Sequence, residues 1–153
     1  MTARFERYLS YLETLTPEKL VSLPDYVTHD VRFKDPFNDV TGIDAMRRVF
    51  DHMFRSVGDI RFDVRQALSD HDYCLMVWRF QGVLRGKPWS FDGTSVIRLS
   101  PDGRVAEHID YWDTASEFYP RLPVIGPLIS WVHRRLAVDQ LQPQTSPPGR
   151  RAW

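Results

Sequence analysis

The chain has 153 residues, of which 42% are hydrophobic and 26% charged, and this composition is typical of one folded domain with its own core. The 20 basic and 20 acidic residues cancel, so the chain lacks the basic excess that nucleic-acid binding requires. Cys74 is the single cysteine, which excludes an internal disulfide bond. Charged residues near the N-terminus argue against a signal peptide, and no apolar segment is long enough to span a bilayer. We therefore expect a cytoplasmic protein that binds no nucleic acid.

The first third of the chain predicts helices around one strand. Apolar residues at spacings of three and four predict a helix over 3–14, and Thr16, followed by a proline, is a candidate N-cap for a second helix. Alternating side chains in "HDVRFKDPF" predict a strand that Pro36 closes. A continuous apolar stripe predicts a long helix over 43–57.

From residue 58 the hydrophobic period changes to two, which is typical of strands. Long alternating segments separated by short polar turns predict strands over 60–68, 73–84, 88–100 and 104–113. Turns this short do not allow crossover connections, so the sheet should be mixed or antiparallel. Helices followed by a meander of strands indicate an α+β fold.

The end of the chain predicts a helical extension and a tail. Thr114 and Glu117 have the spacing of a capping box, so a short helix should follow the last strand. The segment "PLISWVHRRLAV" predicts an amphipathic helix. We therefore expect a domain over 1–118, a helical extension over 119–138 and a flexible tail over 139–153, whose composition is polar and proline-rich.

The stretch "AEHIDYWD" in the last strand places His108, Asp110 and Trp112 at every second position, so their side chains share one face. The opposite face also carries apolar residues, so the strand should be covered on both sides. A carboxylate on such a strand is costly to bury and therefore indicates function. Asp110 is the first candidate for a working group in a pocket.

Helices followed by a sheet that ends in "DYWD" resemble the nuclear transport factor 2-like superfamily, and within it the group of ketosteroid isomerase, the SnoaL-type polyketide cyclases and limonene epoxide hydrolase. The resemblance covers about residues 3–118. It implies a cone-shaped fold in which a strongly curved sheet wraps around the helices and encloses a deep apolar pocket. Because the chemistry of the group varies, the fold alone implies no reaction.

Three motifs resemble the site of ketosteroid isomerase. "ERYLSYL" implies that Tyr8 is an oxyanion-hole donor, and "RFKDPF" implies that Asp35 is a general base. "GTSVIRL" places Ser95 where that enzyme has a protonated aspartate, so steroid isomerisation of the usual kind is not expected. "HIDYWD" instead resembles the epoxide hydrolase strand whose aspartate activates water, which matches Asp110. The acidic residue with a nearby histidine in SnoaL-type cyclases implies a role for His108.

These residues predict a cofactor-independent enzyme that transfers a proton or activates water on an apolar, oxygen-containing molecule. Asp110 would be the base, Asp35 a second acid or base, and Tyr8 the donor to developing negative charge together with Ser95. The predicted pocket is lined by these groups and by aromatic residues that would bind the substrate, namely Phe33, Phe54, Trp78 and Trp112. We expect no metal and no other cofactor, because His52, His108 and Asp110 form no recognisable ligand pattern.

Several alternatives remain open from the sequence alone. His108 is a proton shuttle, a partner of Asp110 or a simple wall residue, and Asp35 is equally consistent with an Asp-Pro turn. The whole domain could bind a ligand without chemistry, or act as an interaction module through its C-terminal helix. That helix could be a lid, a homodimer contact or a membrane-surface helix, and the first two are favoured.

Overall fold

The computed structural model describes residues 3–123 and 125–136. The N-terminal part consists of helix α1 (Ala3–Glu13), a 3₁₀ helix (Glu18–Asp25), strands β1 (Val27–Lys34) and β2 (Asp39–Thr41), and helix α2 (Ile43–Ser56). Four longer strands follow: β3 (Val57–Asp70), β4 (Tyr73–Leu84), β5 (Lys87–Leu99) and β6 (Val105–Tyr111). The chain continues through helix α3 (Thr114–Glu117), a 3₁₀ turn (Tyr119–Arg121) and helix α4 (Ile125–Leu136).

The six strands form one mixed sheet in the order β2-β1-β6-β5-β4-β3. Strand β1 runs parallel to β6, and all other neighbours are antiparallel. The predicted α+β class is therefore confirmed. The parallel pair brings Phe33 beside His108, and Lys34 beside Ile109. Asp35, which directly follows β1, is consequently placed at the same edge as Asp110.

Strand β5 shows why the sheet has one buried face. Every second residue from Trp89 to Leu99 is buried, and all the residues between them are exposed or partly exposed. The helices cover the buried face through apolar side chains such as Phe5 and Leu9 of α1 and Met46 of α2. Irregular register in β3 occurs between Gly58 and Arg61, and β-bulges of this kind bend a strand.

The structure differs from the predictions made from the sequence at three local features. The second helix is a 3₁₀ helix that contains Pro24, a residue that cannot donate the backbone hydrogen bond of a regular helix. Strand β2 is only three residues long and was not predicted. Asp113, not Thr114, caps α3, since its carboxylate accepts the backbone N–H of Ser116 at 3.1 Å.

The predicted short helix α3 ends the domain, and the C-terminal extension that follows contains the 3₁₀ turn and, in the described part of the chain, α4. The predicted tail over 139–153 lies outside the described residues, as do the last two residues of the predicted extension. Within the described ranges no helix is long and apolar enough to cross a membrane.

A substitution at Gly93 would test how tightly the buried face of the sheet is packed. A Cβ at this position would lie 2.3 Å from the Trp78 ring, so only glycine lets the indole lie across β5. We expect Gly93→Ala to displace Trp78 and to lower the free energy of unfolding by about 1–3 kcal/mol. Urea unfolding measures the change, with Ser90→Ala on the exposed face of β5 as the control. Equal stability of the two variants would contradict the packing argument.

Candidate functional site

A cavity of about 670 Å³ lies between the helices and the buried face of the sheet. This volume suits an organic molecule of moderate size. Most of its lining side chains are apolar, and many are aromatic. Trp112 on one wall stacks on Phe91 with ring centroids 4.2 Å apart. The lining includes the predicted wall residues Phe33, Phe54, Trp78, His108, Asp110, Asp35 and Trp112.

A chain of hydrogen bonds converges on one oxygen of Asp110. His108 Nε2 lies 2.8 Å from Asp110 Oδ1, and the Ser95 hydroxyl donates to the same oxygen. Behind His108, the Tyr8 hydroxyl lies 2.8 Å from Nδ1. Behind Ser95, the Trp78 indole Nε1 donates to the serine oxygen at 2.7 Å. Five side chains from four elements thus form one connected network.

The direction of each bond follows from the chemistry of its groups. An ionised carboxylate only accepts, so the Nε2 proton of His108 points to Asp110. In the neutral ring Nδ1 is then an acceptor, and the Tyr8 hydroxyl donates to it. An indole N–H only donates, so the Ser95 oxygen accepts a hydrogen bond from Trp78. The Ser95 hydroxyl in turn donates a hydrogen bond to Asp110. Among the described residues no hydrogen bond reaches Asp110 Oδ2, and the side chain is 19% exposed.

Tyr8 and Ser95, which were expected on the cavity wall, lie behind it. Both side chains are buried, and neither lines the cavity. The reason is that their hydroxyls are engaged by His108 and Asp110 inside the core. Burial raises the pKa of Tyr8 well above its usual value, and the negative charge of Asp110 raises it further. Tyr8 is therefore a phenol at neutral pH and acts as a donor within the network.

Asp35 combines the two interpretations that the sequence left open. Its Oδ1 accepts the backbone N–H groups of Phe37 at 2.8 Å and Asn38 at 2.7 Å, which is an Asx turn after β1. It also lines the cavity. Burial raises the pKa of Asp35, the bonds from Phe37 and Asn38 oppose this, and the nearby charge of Asp110 adds to the increase. The two carboxylates therefore interact.

A smaller depression lies on the outer side of the same edge of the sheet. Asp35, Asp110 and Trp112 line it together with Lys34 and Tyr111, and the first three also line the main cavity. The carboxylate pair consequently lies between the apolar interior and the outer surface.

Several lining residues were missed by the sequence reasoning. Asn38 donates its side-chain amide to Asp35 at 3.0 Å, and Glu13 accepts the backbone N–H of Val64 at 2.8 Å. His52 also lines the cavity. The asparagine follows the Asp-Pro pair at turn spacing, which was a usable signal. Glu13 and His52 lie on helices, and nothing in their local sequence indicates which side chains face a cavity.

The roof of the cavity comes from the segment after α3. Phe118, Arg121 and Leu122 line the cavity, whereas no residue of α4 does. Trp89 Nε1 donates to the carbonyl of Glu117 at 2.9 Å, and Arg121 donates to the carbonyl of Pro88 at 3.3 Å. The segment is thus held on β5. Of the C-terminal segment that was expected as a possible lid, Leu122 lines the cavity, whereas the described residues of α4 do not.

Among residues 3–123 and 125–136, no group of three His, Cys, Asp or Glu side chains is placed so that it could hold a metal ion. His108 is already bonded through both ring nitrogens, to Tyr8 and to Asp110. It therefore has no free nitrogen for a ligand while the network is intact.

Comparison with known families agrees with this architecture. The family model for the SnoaL-like domain matches residues 6–108, which is more than half of the chain. The chain belongs to the SnoaL-like domain family. No curated protein matches it. The predicted resemblance to the nuclear transport factor 2-like superfamily is thus confirmed.

Solved structures with the same fold include proteins of different described activities. A limonene epoxide hydrolase-like epoxide hydrolase of M. tuberculosis is 18% identical with a TM-score of 0.61, over 75% of this chain and 79% of that chain. A putative SnoaL-like polyketide cyclase of Shewanella denitrificans OS-217 is 18% identical with a TM-score of 0.60, over 74% and 92%. A hypothetical protein of Catenulispora acidiphila with a ketosteroid isomerase-like fold, for which no activity is described, is 12% identical with a TM-score of 0.65, over 76% and 90%. At these identities the likeness shows the fold alone.

The raised pKa of Asp35 predicts a pH dependence of stability. Because its folded pKa lies above the unfolded value, its favourable contribution is complete below the unfolded pKa and is lost as the pH rises through the folded pKa. Relative to Asp35→Asn, we expect the wild type to lose stability as the pH rises from the unfolded pKa of an aspartate, about 3.9, through the higher folded pKa. Urea unfolding at a series of pH values measures the difference.

Asp39 provides the matched control, since its pKa is lowered by the Arg32 guanidinium that it binds. Its contribution is present above the unfolded pKa and is lost as the pH falls through the folded pKa. The wild type should therefore gain stability relative to Asp39→Asn as the pH rises. The same sign for both variants would be inconsistent with the assignment.

Proposed function

We propose that the protein is a cofactor-independent enzyme that uses Asp110 as a general base on an apolar, oxygen-containing molecule held in the cavity. The proposal rests on the environment of the Asp110 carboxylate, which lies on an aromatic wall of the cavity. Its Oδ1 accepts hydrogen bonds from His108 and Ser95, whereas its Oδ2 accepts none from the described residues. The free oxygen would accept a proton from the substrate or from an attacking water. The aromatic lining with few polar groups favours an apolar substrate.

Asp35 is the proposed second acid or base. It lies on the same cavity wall as Asp110. Burial raises the pKa of Asp35 and so favours its protonated form. Two carboxylates in one apolar space do not ionise independently, so one of them is suited to return the proton that the other removes. The outer depression that both line supports entry of a water molecule at this edge.

Tyr8, His108, Ser95 and Trp78 are proposed positioning residues. The two arms of the network, Tyr8 with His108 and Trp78 with Ser95, both end on Asp110 Oδ1. Buried donors of this kind fix the orientation of a carboxylate, which a base needs to reach its proton. The role first inferred for Tyr8 and Ser95, donation to charge on the substrate, is less well supported because neither lines the cavity.

The fold relatives allow this chemistry without choosing a reaction. They include a protein described as an epoxide hydrolase and one described as a putative polyketide cyclase. Water activation and proton transfer are both acid–base steps, and Asp110 is suited to either. The apolar cavity also supports a second function, binding of a ligand without chemistry, because its lining is largely complete without the carboxylates.

Asp110→Asn is the decisive variant for the enzyme proposal. A thermal-shift screen of sterols, terpenoids and their epoxides, aromatic polyketides and fatty acids first identifies a ligand. A ligand present at about a hundred times its Kd stabilises the fold by about 2.7 kcal/mol. We expect Asp110→Asn to keep binding and to lose turnover by about 10²–10⁴-fold. Asp92→Asn, on the outer face of β5, is the control that should keep both.

The same assay separates the two functions. Full turnover by Asp110→Asn would contradict the role of this carboxylate. A ligand that binds the wild type and is recovered chemically unchanged would favour the non-catalytic function.

The tautomer of His108 tests the network without a known substrate. Long-range proton–nitrogen spectra at neutral pH should show a proton on Nε2 and none on Nδ1, because Asp110 accepts at the former and Tyr8 donates to the latter. Tyr8→Phe should shift the Nδ1 resonance toward that of an unbonded nitrogen. It should also lower the free energy of unfolding by about 1–3 kcal/mol, since a buried acceptor is left unpaired.

Tyr11→Phe is the matched control, because it removes a hydroxyl from the same helix that donates to the carbonyl of Lys19 and not to His108. It should leave the His108 spectrum unchanged. A proton on Nδ1 in the wild type would reverse the proposed direction of the hydrogen bonds.

A further inference from the structure

Helix α4 carries an apolar stripe that the described part of the chain leaves largely uncovered. Ile125, Leu128, Val132 and Leu136 follow one another at steps of three and four residues and therefore share one side of the helix. Ile125 is 46% exposed, Leu128 60% and Leu136 78%. An isolated exposed leucine is common on proteins, but an ordered apolar stripe of this kind is typical of a surface that is covered in use.

The remaining side chains of α4 give this surface a distinct charge. The helix contains no acidic residue, and its last turn carries His133, Arg134 and Arg135. The Arg135 guanidinium lies 4.7 Å from the centre of the Trp131 ring, and this tryptophan is 48% exposed. The ion pairs of the described residues involve neither Arg134 nor Arg135. An apolar stripe with an exposed tryptophan and with arginines on the polar side of the helix is a feature of helices that lie in anionic lipid headgroups.

The helix is joined to the roof of the cavity. Gly126 packs so closely on the 3₁₀ turn that a Cβ would lie 2.4 Å from the Pro120 carbonyl oxygen. The adjacent Arg121 and Leu122 line the cavity. A surface that binds α4 would therefore lie next to the cavity roof, and an apolar molecule dissolved in that surface would be close to the cavity.

We propose that α4 docks the protein onto an anionic lipid surface, with the apolar stripe in the acyl boundary and Arg134 and Arg135 at the headgroups. A second copy of the chain fits less well, because packing α4 against its symmetry mate would bring basic side chains together with no acidic residue of α4 to pair them. The proposal goes beyond the proposed chemistry and does not depend on it.

Vesicle flotation with the full chain tests this docking. Vesicles of equal parts phosphatidylcholine and phosphatidylglycerol should carry the protein, whereas vesicles of phosphatidylcholine alone should carry much less. Added salt should release it, since salt screens the attraction of arginine to the anionic surface. We expect the Arg134→Ala and Arg135→Ala double variant to partition about thirtyfold more weakly. The Leu128→Ser and Leu136→Ser double variant should also lose flotation.

Two matched controls separate docking from general effects of charge and exposure. Val21→Ser changes an apolar residue in the 3₁₀ helix that is as exposed as Leu136, at 78%. The Arg61→Ala and Arg65→Ala double variant removes two exposed charges from β3. Both controls should float like the wild type.

Three results would overturn the proposal. The first is no binding of the wild type to anionic vesicles. The second is equal binding by the wild type and the α4 variants. The third is a dimer in sedimentation equilibrium that Leu128→Ser with Leu136→Ser dissociates, since the stripe would then be covered by a second copy.

Discussion

The site depends on the convergence of two hydrogen-bond donors on Asp110 Oδ1. A carboxylate beside an aromatic cavity is costly unless buried donors compensate for lost water. His108 and Ser95 supply that compensation, and each is itself held from behind, by Tyr8 and by Trp78. Strand register and helix packing bring these residues together. The β5–β6 register sets Ser95 opposite Asp110, and α1 brings Tyr8 across the sheet to His108.

Local periodicity was sufficient for part of this site. Strand alternation alone put His108, Asp110 and Trp112 on one face, and the structure has all three on the cavity wall. The pairing of β1 with β6 has no local signal, because the two strands are about 75 residues apart and run parallel. The position of Asp35 near Asp110 therefore followed only from the family resemblance. The same resemblance placed Tyr8 on the wall, since a helix motif does not reveal that the His108 ring lies between the phenol and the cavity.

The two carboxylates differ in what holds them. Asp110 receives side-chain donors from His108 and Ser95, whereas Asp35 receives its donors, two backbone N–H groups and the Asn38 side-chain amide, from the turn that follows β1. The orientation of Asp35 therefore depends on one short turn. The orientation of Asp110 depends on a network whose side chains come from α1, β4, β5 and β6. Identical side chains in unlike surroundings are a common way to obtain one acid and one base at neutral pH. The burial that raises the pKa of Asp35 is consistent with the acid role.

The roof of the cavity connects the site with α4. Phe118 and Leu122 close the cavity, Trp89 and Arg121 hold the roof segment on β5, and Gly126 fixes the start of α4 to Pro120. Movement of α4 would therefore act on the roof through one close backbone contact. A helix bound in a lipid headgroup layer would be restrained in the orientation that presents this roof to the surface. Apolar molecules concentrate in lipid and are scarce in water, so a cavity whose roof lies beside the bilayer would be close to an abundant supply of an apolar ligand.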